Sequence, residues 1–259
     1  MIPKLAPADQ IASTIDEVIQ QLASIIVRSI REQSRLGFFA ALYHTVTIKV
    51  KEGIAAGQFE DGPRMERLDV TFANRYLNAL DQFERGEEPT PCWKLAFKAA
   101  TRWPPIILQH LLLGMNAHIN FDLGIAAAQT CPGDQLMSLK HDFDQINVIL
   151  ASLIAQVEAE VGRVSPWINL LDHIGGRTEE AVIEFSMARA RDAAWGLAQR
   201  LAVLTPDQWQ PELERRDREM TRLGRFVLNP GWLLNASLLV IRLRESNDIP
   251  RIIRVVSGE

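Results

Sequence analysis

The sequence predicts an all-α fold: one helical domain spanning residues 1–259, with about eight to ten helices bundled around a central buried helix. Apolar residues recur at spacings of three and four through most of the chain, which is the period of an α-helix. No repeat, low-complexity linker or change in composition divides the 259 residues. The composition, 47% hydrophobic and 23% charged, is typical of a globular domain with a substantial core.

The first half of the chain shows three such apolar stripes before its first proline-rich loop. The second stripe begins at Phe39 and includes residues 46–50, whose alternating β-branched side chains leave a strand open as an alternative. Asp61, followed by Gly-Pro, is predicted to begin the third helix, and Gly86 to end it. A short helix is then predicted around Trp93.

The longest apolar segment lies in the middle of the chain. Residues 106–128 predict a nearly continuous buried helix, and a seam from Leu136 to Val157 predicts another long helix after it. Thr178 is predicted to begin the next helix, and Thr205 a charged helix that ends near Gly224.

The C-terminal region predicts one more apolar helix over residues 232–243 and a short tail over residues 249–256. The apolar helix suits either the core or the face of a dimer, so the oligomeric state stays open. These elements complete a single helical domain.

The composition also bears on partners and location. The net charge is −4 and no basic run occurs, so we expect no nucleic-acid partner. No run of about 18 uninterrupted apolar residues occurs, and we expect no membrane span. The N-terminal segment lacks a positively charged region followed by an apolar stretch, so a cytoplasmic location is expected.

The central helix carries polar residues that ordinary core helices lack. They are Gln109, His110, Asn116, His118, Asn120 and Asp122. At about 100° per residue the three amides form one stripe, while the imidazole of His118 and the carboxylate of Asp122 lie on the opposite side. Burying such groups unpaired is costly, so we expect both sides to contact neighbouring helices, with the amides bonding helix to helix.

His118 and Asp122 form the predicted site. Four residues apart, they lie on one face about 6 Å from each other along the axis, as a metal-ligand pair or a carboxylate–imidazole hydrogen bond requires. Because one helix face cannot complete a metal shell, Asp69 and Asp144 from neighbouring helices are the further predicted ligands of a divalent metal.

Two more residues complete the predicted catalytic set of His118, Asp122, Tyr76 and His110. Tyr76 lies on the inward stripe of the third helix and is suited to donate to a developing oxyanion. His110 lies on the same helix as His118, about 12 Å from it along the axis, too far to share one ion easily. Asp144, like Asp142 beside it, also suits a solvated rim.

Two hypotheses about function follow. Under the first, the protein is a metal-assisted hydrolase or binds a small-molecule ligand beside the central helix. Under the second, it is non-catalytic, and its buried histidines, amides and carboxylates form a structural polar network. The sequence does not decide whether the protein is an enzyme. It contains no GxSxG, P-loop, GxGxxG or HExxH motif.

The run LQHLLLGMNAHINFDLGIAAA, with FEDGPRMERLDVTFANRYLNALDQF upstream and DFDQIN downstream, resembles an uncharacterised bacterial family, a domain of unknown function. The resemblance covers most of the chain and implies no activity. The HxxxD spacing alone is similar to a fragment of the zinc-dependent phospholipase C and P1-nuclease pattern. The chain lacks the further histidine and the N-terminal tryptophan of that pattern.

Overall fold

A computed structural model of the protein describes residues 12–165 and 187–258, which form eleven α-helices and no strand. The helices are α1 (Ile15–Glu32), α2 (Leu36–Ala55), α3 (Gly62–Glu84), α4 (Pro91–Ala100), α5 (Ile107–Ala117), α6 (Leu123–Thr130), α7 (Lys140–Val164), α8 (Met187–Ala202), α9 (Gln210–Leu228), α10 (Trp232–Arg244) and α11 (Ile249–Ser257). Short 3-10 turns, Gly133–Leu139 and Pro206–Gln208, precede α7 and α9. The predicted all-α class is confirmed.

A π-helical turn, His118–Asp122, joins α5 to α6 so that Ile107–Thr130 forms one continuous central rod. Helices α2, α3, α4, α8 and α9 pack around this rod. It is therefore the predicted central buried helix, and counting it once leaves ten helices among the described residues.

Glycines let two neighbouring helices approach the rod closely. A Cβ atom on Gly114 would lie 2.4 Å from Cδ2 of Phe39 in α2. A Cβ atom on Gly124 would lie 2.5 Å from the backbone oxygen of Ala194 in α8. Both distances are far below van der Waals contact, so any larger residue would push α2 or α8 away from the rod.

By length and hydropathy the central rod could cross a membrane, as could α9 and α10 together if their 65° bend lay within one broken span. However, 83% of the rod's apolar window is buried inside the protein, and the core helix of a soluble protein passes the same test. These helices are weak evidence for a membrane span, and the expected absence of a membrane partner stays a prediction.

Capping residues fix several helix starts. The side chains of Thr14, Asp61 and Asp248 each accept a backbone N–H three residues later, at the starts of α1, α3 and α11. The predicted start at Asp61 is thus confirmed. Residues 46–50 are helical within α2, so the alternative of a strand there is wrong. Their β-branched side chains are tolerated because Val50 packs in the core at helical spacing.

The C-terminal region differs from its prediction in two places. The charged helix α9 continues past Gly224 to Leu228, because Gly224 packs closely against Leu95 and Leu113 and does not terminate the helix. The predicted tail is the amphipathic helix α11, whose Ile252 and Ile253 are buried in a second apolar cluster against α2 and α5.

Helix α10 presents large apolar side chains to the surface of the described structure: Trp232 is 81% exposed and Leu243 is 64% exposed. It is therefore not a core helix among these residues, and a dimer face stays a prediction. The predicted helix start at Thr178 lies outside the described residues.

Candidate functional site

His118 lies in the π-helical turn, only 2% exposed, and is enclosed by aromatic rings. Phe72 stacks on its imidazole with ring centroids 3.5 Å apart, and Tyr43 meets it edge-on at 4.4 Å. The full aromatic shell consists of Phe39, Tyr43, Phe72, Tyr76 and Trp93, from helices α2, α3 and α4. The sequence-predicted Tyr76 thus does lie beside His118, with ring centroids 6.2 Å apart.

The carboxylate of Asp122 is buried and firmly held. It accepts hydrogen bonds from Nε of Arg75 and from Nε1 of Trp93, both at 2.7 Å. Its Oδ2 lies 3.7 Å from Nδ1 of His118, slightly too far for a hydrogen bond. Burial opposes ionisation, but Arg75, His118 and Trp93 together hold the pKa of Asp122 below its usual value. Asp122 is therefore an anion at neutral pH.

Burial has the opposite outcome for His118. It lowers the pKa of the imidazole, and the nearby Asp122 offsets only part of that effect. The ring is neutral at neutral pH, with one nitrogen as a donor and the other as an acceptor.

Several buried polar atoms on this side of the rod lack a hydrogen-bond partner among the described residues. They are Oη of Tyr43, Oδ2 of Asp69 and both ring nitrogens of His118. Most buried polar atoms in folded proteins are paired, and an unpaired one costs about 1–3 kcal/mol. This group of atoms is called here the histidine face, and the aromatic shell around His118 makes it the most tightly enclosed of the unpaired groups described here.

The charge of Asp69 also influences the protonation of Tyr43. Burial, with a smaller contribution from Glu66, raises the pKa of Asp69 to about 7. Burial and the charge of Asp69 raise the pKa of the Tyr43 phenol well above its usual value, so Tyr43 keeps its proton at neutral pH. Near neutral pH the histidine face therefore offers a phenol donor, a neutral imidazole and a carboxyl group close to its midpoint.

On the opposite side of the rod, called here the amide face, each of the three amides donates a hydrogen bond. Gln109 donates to the Val227 carbonyl at 2.7 Å, and Asn116 donates to the Met220 carbonyl at 2.8 Å. Asn120 donates to the side chain of Asn116 at 3.3 Å. The prediction that the amides bond helix to helix is confirmed for Gln109 and Asn116, which bond to α9, whereas the Asn120 side chain bonds to Asn116 within the rod.

The π-helical turn lies between these two faces. The backbone N–H of Leu123 donates to the carbonyl of His118, five residues earlier, where an α-helix would use the residue four earlier. The carbonyl of Asn120, inside the turn, also accepts from Nε of Arg216 at 3.0 Å. Single π turns inside α-helices occur frequently at functional sites.

A cleft of about 300 Å³, counting space open to solvent, lies between α2, α3, α4 and α5. Phe39, Tyr76 and Trp93 line this aromatic cleft, and the same three rings contact His118. One layer of rings therefore separates the cleft from the imidazole. Neither His118 nor Asp122 lines the cleft itself.

The four predicted metal ligands do not come together. Asp144 lies on the exposed side of α7, where it pairs with Lys140. In residues 12–165 and 187–258 no group of three or more His, Cys, Asp or Glu side chains is placed to hold a metal ion. The structure brings together His118 and Asp122, with Asp69 near Tyr43, but not Asp144.

The prediction that Asp142 lies on a solvated rim is wrong. It is fully buried and accepts from the backbone N–H groups of Glu60 and Asp61 and from the Arg64 guanidinium, at 2.7, 3.1 and 2.7 Å. These bonds fasten the α2–α3 loop to α7, which explains why an aspartate is tolerated there. The rim interpretation holds for Asp144.

His110, the fourth predicted catalytic residue, lies outside the aromatic shell. Its ring meets Phe38 edge-on at 5.7 Å and lines the far end of the aromatic cleft beside Arg35. Neither of its nitrogens has a hydrogen-bond partner among the described residues. Burial, then the charges of Arg35 and Arg242, lower its pKa to about 3. It belongs to a different environment from His118.

Sequence reasoning missed three residues of the site: Tyr43, Arg75 and Trp93. Arg75 was within reach, since it lies about 60° from the centre of the α3 stripe at Phe72, as close as Asp69 does. An arginine at such an inward position predicts a buried carboxylate partner. Trp93 carries no comparable signal, because nothing local indicates which acceptor its indole N–H meets.

These features define an all-α protein with a buried polar site beside its central helix. The chain matches a family of unknown function, DUF5995, over residues 15–230, and it belongs to that family. Comparison with curated proteins and with solved structures gives no match.

Proposed function

We propose that this protein binds a small, mostly apolar molecule with one polar group, and that His118 contacts that group when the aromatic layer opens. The observation that carries the proposal is the set of unpaired atoms on Tyr43 and His118, whose rings pack against the wall of the aromatic cleft, with an unpaired oxygen of Asp69 near Tyr43. A ligand that supplies the missing hydrogen bonds would relieve their cost.

The cleft suits such a ligand in its mostly apolar character, and its narrow space must widen to admit one. Binding pockets are mostly apolar, with a few polar groups that fix orientation. Here the wall consists of Phe39, Tyr76, Trp93 and neighbouring side chains of α4, and His118 lies about 6 Å behind three of those rings. Rotation of one ring would join the cleft to the imidazole.

The same geometry supports hydrolase-like chemistry without a metal. The neutral imidazole of His118 has a free acceptor, and the adjacent anion of Asp122 stabilises the imidazolium that forms when His118 takes a proton. With an ester bound, His118 would take a proton from water while the water oxygen attacks the carbonyl. The proton then passes to the leaving alcohol, which completes a balanced hydrolysis.

The binding test compares phenol with benzene by NMR titration. We expect phenol to bind more tightly by roughly fivefold, the worth of one neutral hydrogen bond. His118→Leu should abolish that preference. His141→Leu, the same change at an exposed position on α7, should retain it. Absence of binding by both probes, or a preference that survives His118→Leu, would contradict the proposal.

The catalytic test uses phenyl acetate and the same two variants. Hydrolysis should fall to the background rate in His118→Leu and stay unchanged in His141→Leu. If phenol binds as expected but hydrolysis is the same in all three proteins, the site binds small molecules without acting on them.

A specific observation favours a second candidate, the non-catalytic polar network. Both oxygens of Asp122 already accept strong hydrogen bonds, one from Arg75 and one from Trp93. Under this alternative His118 only packs against the aromatic shell, and phenol and benzene bind equally or not at all.

A further inference from the structure

A second cleft, independent of the histidine face, lies where α2, the start of α5 and the α10–α11 connection meet. It is a narrow, open cleft with polar side chains from Arg35, His110, Arg242, Glu245, Ser246 and Asn247, and it shares Arg35 and His110 with the aromatic cleft. We call it the arginine cleft. Phe38, Ile107, Ile249 and Ile252 supply its apolar lining.

Positive charge in the arginine cleft exceeds the negative charge that residues 12–165 and 187–258 place there. Arg35 makes no side-chain hydrogen bond or ion pair with any described residue. The Nη1 of Arg242 lies 3.9 Å from Glu245, a loose ion pair. Two guanidinium groups therefore share one nearby carboxylate.

That carboxylate is already committed elsewhere. Glu245 accepts from the Ser165 hydroxyl at 2.7 Å and from the backbone N–H of Ile107, the first residue of α5, at 3.1 Å. Burial raises the pKa of Glu245 to about 7, so its negative charge is incomplete near neutral pH. Among the described residues, the cleft is left with a net positive charge and no anion paired with Arg35.

His110 points to a ligand independently of the charges. It is 7% exposed, it lines the cleft, and both its nitrogens lack hydrogen-bond partners among the described residues. A neutral imidazole can donate one hydrogen bond to an anion. Arg242, by contrast, is fixed by its bonds to the Trp103 carbonyl and to the Asn247 side chain, both at 2.8 Å.

We propose that the arginine cleft binds a short-chain organic carboxylate. Arg35 and His110 contact the carboxylate group, and the hydrocarbon part reaches the buried apolar side chains of α2, α5 and α11 when the narrow cleft widens. Guanidinium groups recognise carboxylates through charge-assisted hydrogen bonds, which are stronger than neutral ones. The apolar lining distinguishes such a ligand from a fully hydrated inorganic anion.

The test follows the imidazole of His110 by NMR during titration with butyrate and, separately, with butyramide, its uncharged analogue of the same shape. Butyrate should produce a saturable shift and butyramide none. Arg35→Gln should weaken butyrate binding by about tenfold or more, as expected for loss of a charge-assisted bond. Arg251→Gln, which removes the same charge from an exposed position on α11, should leave binding unchanged.

Three outcomes would each overturn the proposal. They are equal binding of butyrate and butyramide, equal butyrate binding by the Arg35→Gln and Arg251→Gln variants, and no butyrate binding by the unaltered protein. Circular dichroism of both variants establishes that they are folded, which is expected because Arg35 is partly exposed and unpaired. Because Arg35 and His110 line both clefts, His118 distinguishes the two proposals: His118→Leu should abolish the preference for phenol and leave butyrate binding unchanged.

Discussion

The two polar faces of the central rod differ in how their buried groups are paired. On the amide face, Gln109, Asn116 and Asn120 bond to α9 or to one another. On the histidine face, His118, Tyr43 and Asp69 keep unpaired polar atoms within the same well-packed core. Paired groups hold helices in register, whereas unpaired groups lower stability and are retained where another function requires them. Within this one helix, then, pairing separates structural residues from candidate functional ones.

The largest expected effect is at Asp122, the firmly paired carboxylate beside the histidine face. Asp122→Ala should lower the free energy of unfolding by about 3 kcal/mol, because Arg75 and Trp93 lose their buried acceptor. Urea denaturation measures the change. Asp144→Ala, at an exposed ion pair, should cost less than about 1 kcal/mol. A cost for Asp122→Ala as small as that of Asp144→Ala would show that the pairing of Asp122 contributes little.

The amide face should respond next most strongly. Asn116→Ala should lower the free energy of unfolding by about 2 kcal/mol, since the Met220 carbonyl and the Asn120 amide each lose a partner. The control is Asn78→Ala, at an exposed position on α3, which should leave stability within about 0.5 kcal/mol. If both variants were equally stable, the amides would not be holding α9 against the rod.

Asp69 makes the stability of the folded protein depend on pH. Its folded-state pKa of about 7 exceeds the value of about 3.9 expected in the unfolded chain, so the folded protein holds this proton more tightly. Stability from this group is therefore lost as the pH rises from about 4 to about 7. Asp69→Asn should remove that loss and be more stable than the unaltered protein at pH 8, with little difference near pH 4. Urea denaturation at the two pH values measures this, and an identical pH dependence in both proteins would count against a buried, unpaired Asp69.

The smallest expected effect on stability, and the sharpest contrast between the faces, comes from His118→Leu. Because neither ring nitrogen has a partner, an apolar side chain of similar volume leaves no other buried group without a hydrogen bond. The free energy of unfolding should therefore change by less than about 1 kcal/mol. Asn116→Leu, the same replacement on the amide face, should cost more. A larger loss from His118→Leu than from Asn116→Leu would reverse the distinction drawn between the two faces.

Much of the fold was accessible from sequence because helical periodicity is a local signal. The central rod, the start of α3 at Asp61 and the amide contacts all follow from spacing and from the cost of burying polar groups. The segment of α11 was predicted as a short tail, although Ile249, Ile252 and Val256 have the spacing of an amphipathic helix. Its short length weakened that signal.

The candidate site was only partly accessible. His118, Asp122 and Tyr76 do lie together, as the spacing within each helix indicated. The pairing of Asp122 with Trp93 depends on how α4 packs against the rod, which no local pattern specifies. The π-helical turn was likewise invisible, because the residues of that segment continue the α-helical pattern of their neighbours.

The π-helical turn also sets the rotational phase between the two halves of the rod. It places one more residue in the helix than an unbroken α-helix would, so α5 can present its amides to α9 while α6 presents Gly124 to the backbone of Ala194. Deleting one residue from the turn would rotate α6 by about 100° relative to α5. A bulkier residue would then face Ala194 in place of Gly124. The rod could keep its close contact with α8 or its amide hydrogen bonds to α9, but not both.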